Sequence, residues 1–217
     1  MNFYERQDLL LDKNKDNCVG KKVAIIGAGG LGSVFAYALA SIKIDELYII
    51  DFDNVTISNI QRQIMFNFDD ENLPKSVIFK KLENRSYAKI SPFIMSAAEF
   101  FFQAEKNEWQ IDLIIDATDN LSVRKEIQNY SQSFNIPWLY TGVQDFYASC
   151  ALITGAKLHL VGDVKGLKAQ CPPMVMFAAS YASVLAFRYL MNLEVKTNHL
   201  YYFDLSKEQV SFNNFTL

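Results

Sequence analysis

Val23-Ala24-Ile25-Ile26-Gly27-Ala28-Gly29-Gly30-Leu31-Gly32-Ser33 sets an apolar run directly before a glycine-rich turn, and Val34-Phe35-Ala36-Tyr37-Ala38-Leu39-Ala40 continues from it. The apolar run reads as a buried parallel strand and the continuation as a helix. Gly27, Gly29 and Gly32 fit the G-x-G-x-x-G fingerprint. The first permits a tight turn, the second lets backbone approach a phosphate, and the third lets helix and strand pack closely. The free N–H groups and positive dipole end at the helix start suit an anion. Glu46-Leu47-Tyr48-Ile49-Ile50 reads as a second strand ending at Asp51, where a ribose-binding acid belongs. A nucleotide is implied, but not which one or what is done to it.

The composition narrows the classes. A chain of 217 residues, 50% hydrophobic, suffices for one compact domain with a sizeable core, or one domain with small appendages. A net charge of −3 and no long Lys/Arg run give no bulk pull toward nucleic acid or acidic membranes. Cys18, Cys150 and Cys171 form an odd, sparse set, which argues for a reducing compartment and against a disulfide framework. No C-x-x-C pair exists, so a cysteine-built zinc site is not expected. Glu5, Arg6, Asp8 and Asp12 are wrong for a signal peptide, and the chain is expected to be cytoplasmic. The uncharged run Ala169 to Phe187 reads, after Pro173, as a buried helix in preference to a membrane span.

Taken in order, Phe3 to Leu11 reads as a short amphipathic helix and Lys13 to Asn17 as a loop. Thr56 to Gln63 carries helical start signals, and Pro74 suits the first turn of a helix running toward Ala88. Pro92 is expected to break the chain before a strand at Phe93 to Ala97. Leu113 to Ile115 reads as a strand, Val123, Ile127 and Tyr130 as one helix face, and Pro137 to Val143 as a strand. Alternating strands and helices imply a Rossmann-like α/β fold, mostly parallel, with helices on both faces. Antiparallel hairpins are expected in the C-terminal third: Tyr147–Ile153 with Lys157–Val161 around Thr154-Gly155, and Leu200–Leu205 with Gln209–Phe212.

The polar residues are chemically legible. Asp51 and Asp119 each stand just past the carboxyl end of an expected strand, the edge at which open parallel sheets bind ligands. Asn59, Arg62 and Lys75 fall in connections above that edge. A carboxylate for ribose hydroxyls, two cations for phosphate oxygens and a second carboxylate for Mg²⁺ make a nucleoside-triphosphate site. A dehydrogenase needs neither the cation pair nor the metal, so weight moves from NAD to ATP. Singly, Arg62 and Lys75 read as solvated charges, Asp119 as a helix cap and Asp51 as a turn residue. Their joint placement favours the site. His159 and His199 are isolated and receive no role.

These motifs resemble the ubiquitin-activating-enzyme-like adenylyltransferases, which include the molybdopterin-synthase and thiamine sulfur-carrier adenylyltransferases of bacteria. The resemblance is carried by GAGGLGS at Gly27–Ser33, DFDNVTISNIQRQ at Asp51–Gln63, PK at Pro74–Lys75, DATDN at Asp116–Asn120 with Arg124 after it, and YERQ at Tyr4–Gln7. It runs from Phe3 to Val143, and more weakly through the apolar helix and Phe203–Leu205. The resemblance implies that ATP and the C-terminal carboxylate of a small ubiquitin-like or sulfur-carrier protein, or a peptide, give an acyl-adenylate and pyrophosphate. It implies nucleotide contacts from Gly27, Gly29, Gly30, Gly32, Asp51, Asp53, Asn59, Arg62, Gln63, Lys75, Asp119 and Asn120, with Mg²⁺ on Asp119. It gives catalytic roles to Arg62, Lys75, Asp119 and Arg6, the last reaching the ATP site of a neighbouring subunit in a homodimer. The whole of 1–217 is then a single adenylation domain: an N-terminal arm at 1–17, a nucleotide-binding core at 18–145, and a carrier-binding, dimer-forming part at 146–217. Two departures stand out: the paired C-x-x-C zinc motifs of many relatives are absent, and Thr154 to Pro173 is short, implying a reduced crossover region. Only Cys171 lies near the place of the catalytic cysteine that some relatives carry, and its ordinary reading is an unreactive thiol. Other readings are a same-fold enzyme acting on a modified tRNA base or a peptide antibiotic, a non-catalytic subunit of a heterodimer, and an NAD-dependent oxidoreductase.

Overall fold

The computed structural model describes residues 2–159, 169–207 and 211–217. After a short helix α1 (Glu5–Leu11), the strands β1 (Lys22–Ile26) and β2 (Glu46–Ile50) flank helix α2 (Gly30–Ala40). Two one-turn helices follow, α3 (Ile57–Ile60) and α4 (Lys75–Ile78), then strand β3 (Lys89–Phe93) and helix α5 (Ala97–Lys106). Strand β4 (Leu113–Asp116), helix α6 (Leu121–Phe134), strands β5 (Trp138–Gln144) and β6 (Tyr147–Ile153), helix α7 (Pro172–Leu190), and strands β7 (His199–Asp204) and β8 (Ser211–Thr216) complete it.

All eight strands join one sheet in the order β3-β2-β1-β4-β5-β6-β7-β8. The first five pair in parallel and the rest antiparallel. The Rossmann-like expectation, with antiparallel strands in the C-terminal third, is borne out. The order in which the chain adds strands, outward from β1 to β3 and then back past β1 to β4 and β5, reverses between β1 and β4, and Ile26 is level with both Ile50 and Asp116 there. That is the switch point at which such sheets leave a crevice past the carboxyl ends of their strands.

Alternation along each buried strand splits the core in two. Val23, Ile25, Leu47, Ile49, Leu113, Ile115 and Leu139 face α2 and α7, whereas Ala24, Ile26, Tyr48, Ile50, Ile114 and Trp138 face α5 and α6. Helix α7 is long and apolar enough to cross a membrane by length and composition. Here it buries Met174, Val175, Ala178, Ala182 and Ala186 against α2, β5 and β6.

Three expectations need correction. The strand near Pro92 is Lys89–Phe93, not Phe93–Ala97, and Pro92 lies inside it. A proline fits because β3 is the edge of the sheet, where one face of the ladder needs no donor. The long helix after Pro74 is one turn followed by 3₁₀ winding over Phe79–Asn84. Its three-residue repeat points both Phe79 and Leu82 into the core. Tyr147–Ile153 pairs with Trp138–Gln144 instead of with the expected partner at 157–161. The connection is a two-residue turn in which Asp145 takes a φ of 50°, a conformation Asp tolerates. Residues 157–159 form no strand, and 160–161 lie outside the described residues. The second hairpin forms as β7 with β8, although residues 208–210 of it also lie outside.

Candidate active site

The glycine turn is built by backbone crowding. Gly27 has a φ of +99°, and a Cβ there would stand 2.7 Å from the Ala117 carbonyl oxygen. A Cβ on Gly32 would meet the Gly27 carbonyl oxygen at 2.0 Å, so this glycine serves helix-on-strand contact and does not line the cavity. The turn is tied down by Asp51, whose Oδ2 accepts from the Ala28 N–H at 2.7 Å and whose Oδ1 accepts from the Asp53 N–H at 2.8 Å. Burial pushes the Asp51 pKa up, against the pull of those two N–H groups and of Lys75.

The cationic side comes from the connection after β2. Thr56 and Asn59 form a capping box that starts α3 and carries Arg62 and Gln63 just beyond it. Arg62 donates from Nε to Gln170 Oε1 at 2.8 Å and from Nη1 to the Ser58 carbonyl at 3.1 Å. Lys75, only 7% exposed, places Nζ 2.9 Å from Asp53 Oδ2, and its backbone N–H donates to the Asp53 carbonyl. A second backbone tie comes from Ser76, whose hydroxyl donates to the Asp51 carbonyl at 3.2 Å.

The acidic side follows β4. Asp116 is fully buried and meets Arg124 Nε at 2.5 Å, while its Oδ1 accepts from the Thr118 hydroxyl at 2.7 Å. Burial raises the Asp116 pKa, although Arg124 and Thr118 pull it back. Arg124 also donates to the Thr118 carbonyl at 2.9 Å and lies 4.8 Å over the Tyr140 ring. This clamp holds the turn bearing Asp119, which is exposed beside it. Asn120 Oδ1 caps α6 by accepting from the Ser122 and Val123 N–H groups. The cap is thus Asn120, not Asp119.

One cavity of about 760 Å³ gathers these groups: Gly27, Gly29, Gly30, Asp51, Asp53, Asn59, Arg62, Gln63, Lys75, Asp119 and Asn120 all line it. Of the residues expected in this cavity, Gly32 alone does not line it; Arg6, expected to reach a second copy's site, is exposed on α1. The cavity continues past the phosphate-type end along β5 and β6 to Tyr140, Gly142, Tyr147, Ser149 and Tyr202. Sequence reasoning assigned no role to Arg124, Gln170 or these tyrosines. The spacing of Asp116 and Arg124, eight positions apart at the end of β4 and in the first turn of α6, was the available hint.

Two observations fit a nucleotide: an unpartnered acceptor that a ligand N–H or hydroxyl would satisfy, and an open cradle for phosphate. Gln63 is 5% exposed and its buried Oε1 has no hydrogen-bond partner among the described residues. A Cβ on Gly29 would meet nothing nearer than the Gln63 amide at 3.6 Å, so packing alone does not demand glycine there. A backbone bare at that point keeps the cradle at the start of α2 open. No group of three or more His, Cys, Asp or Glu residues that could hold a metal exists among the described residues. A cation here would rest on Asp119 and on its ligand's phosphates, the arrangement Mg²⁺ favours. Cys18 and Cys150 are buried, and burial pushes their thiols to about 11 and about 12, so neither is a poised nucleophile.

Comparison with known proteins matches residues 6–217 to the ThiF family. Sulfur carrier protein ThiS adenylyltransferase of Escherichia coli (strain K12) is 31% identical over 158 residues, covering 70% of this chain and 61% of that protein. Molybdopterin-synthase adenylyltransferase of Haemophilus influenzae is 25% identical over 181 residues, covering 74% of this chain and 62% of that one. The chain therefore spans less than two thirds of the length of these curated relatives. Among solved structures, E. coli MccB with MccA-N7isoASN superposes with a TM-score of 0.86 at 19% identity, over 100% of this chain and 72% of that one. E. coli MccB with ATP gives 0.84 at 18% identity, over 100% and 71%.

Proposed function

The chain belongs to the ThiF family, and from that footing we propose that it is an ATP-dependent adenylyltransferase that activates the C-terminal carboxylate of a small carrier protein or peptide. The observation that carries the reading is the convergence of Asp51, Arg62, Lys75 and Asp119 on one cavity at the glycine turn, from four separate segments. The names of the relatives support the reaction class, and the MccB structures with ATP and with MccA-N7isoASN support the two ligands.

The chemistry suits the residues. A substrate carboxylate oxygen attacks the α-phosphorus of ATP, the bond to the bridging oxygen breaks, and pyrophosphate leaves with that electron pair. Negative charge builds on the phosphoryl oxygens, and preplaced Arg62 and Lys75 stabilise it without reorganising. The carboxylate is itself the nucleophile, so positioning along β5 and β6 supplies much of the remaining rate. Asp51 accepts from the ribose hydroxyls with its remaining lone pairs. Bound Mg²⁺, held by Asp119 and phosphate oxygens, would neutralise charge on the departing pyrophosphate. Within this reading the protein is a cytoplasmic homodimer in which 1–17 forms an arm that brings Arg6 to a second copy's cavity. Residues 18–145 carry the nucleotide, and 146–217 carry the carrier-binding and dimer-forming surface.

The test is exchange of labelled pyrophosphate into ATP in the presence of candidate carriers ending in Gly-Gly. The expected result is carrier-dependent exchange, lost by at least about a hundredfold in Arg62→Ala and Asp119→Ala. Exchange that both variants retain would remove the proposed site.

A further inference from the structure

Arg62 is the one proposed phosphate ligand whose guanidinium is held by a residue from a distant segment. Nε donates to Gln170 Oε1 at 2.8 Å across 108 positions of sequence, and Nη1 donates to the Ser58 carbonyl. Those two acceptors sit on different edges of a planar group with five N–H donors, so the remaining three are fixed in direction by the plane. Gln170 is itself a fixed point. The Asp145 N–H donates to the Ala169 carbonyl at 3.0 Å on one side, and Cys171 is the N-cap of α7 on the other. Contact at Gly30 closes the arrangement. A Cβ there would meet Val175 Cγ1 of α7 at 2.8 Å and the Arg62 carbonyl oxygen at 3.1 Å, so the starts of α2 and α7 and the backbone of Arg62 are locked together.

Resting on the ATP reading above, we propose that Gln170 is a positioning residue: its side-chain carbonyl oxygen sets the Arg62 guanidinium for the triphosphate. A lone Arg just beyond a one-turn helix has rotamers enough to swing to solvent. An acceptor of the Nε–H selects the one rotamer that leaves the outer donors over the cavity. Because the neighbouring Ala169 carbonyl accepts from the Asp145 N–H of the β5–β6 turn, the phosphate end of the cavity is braced against its far end.

The test uses calorimetric titration of the full chain with ATP and Mg²⁺, and separately with AMP. Gln170→Ala weakens ATP binding about tenfold, the loss appropriate to one hydrogen bond to a charged group. AMP, which lacks the outer phosphates, binds as before. Gln170→Met, which keeps the side-chain length and removes the acceptor, gives the same loss with an unchanged unfolding midpoint in the absence of nucleotide. The double variant Gln170→Ala/Arg62→Ala binds ATP no more weakly than Arg62→Ala alone, since the role acts only through Arg62. Wild-type ATP affinity in Gln170→Ala overturns the proposal, as does a tenfold loss that persists in the Arg62→Ala background. In both cases ATP binding by the wild type, weakened in Arg62→Ala, leaves the functional reading standing. Absence of ATP binding in the wild type overturns that reading and this role together.

Discussion

Arg124 contributes more to the site than its place after the DATDN motif suggests. Its guanidinium answers a fully buried carboxylate, a backbone carbonyl and an aromatic ring at once. Arg124→Met leaves the Asp116 carboxylate buried without its counter-charge, a cost of about 3–5 kcal/mol. Thermal denaturation should show a large fall in midpoint, with much of it recovered when Asp116→Asn is added. Legibility at this scale follows from proximity along the chain. Asp51, Lys75 and Asp119 could be read because each adjoins a recognisable feature: Asp51 and Asp119 follow β2 and β4, and Lys75 follows Pro74 at the start of α4. Gln170 could not, because it reaches the cavity and Arg62 only through space, 108 positions away along the chain.

The elements show where local rules compete with tertiary ones. Asn120 caps a 14-residue helix through its side chain, as Ser96 does for α5 by accepting from the Glu99 N–H. Asn120→Ala should therefore cost about 1 kcal/mol, measured by urea unfolding. The same change frays the turn that carries Asp119, and so should weaken the proposed Mg²⁺–ATP binding more than that figure alone implies, as calorimetric titration would measure. The strands that sequence placed well are those buried on both faces, β1, β2 and β4, whose apolar runs admit few alternatives. The elements misjudged lie where a proline meets an edge, where one helical turn gives way to 3₁₀ winding, and where a tight turn rather than a Thr-Gly pair chooses the hairpin. In each case the choice was made by contacts that propensity does not encode.

For the whole molecule, the end of the sheet opposite the cavity is held by charge. Glu46, 6% exposed, accepts from the Ser91 hydroxyl at 2.5 Å and pairs with Lys89 at 2.7 Å and Lys22 at 3.4 Å. Burial alone would raise its pKa, but these partners outweigh burial and hold it below the ordinary 4.5. A lowered folded pKa means stability that is present above about pH 4.5 and lost as pH falls through the folded value. Glu46→Gln should thus be less stable at pH 6 by about 2 kcal/mol, with a shallower decline between pH 5 and pH 3 in chemical denaturation. One continuous ladder of strands runs from β3 to β8 and carries both ends of the cavity. A segment exchanged after β5 has therefore to bring a strand that restores the whole register from Trp138–Ile153 to Gln144–Tyr147, or the sheet and the cavity wall are severed together.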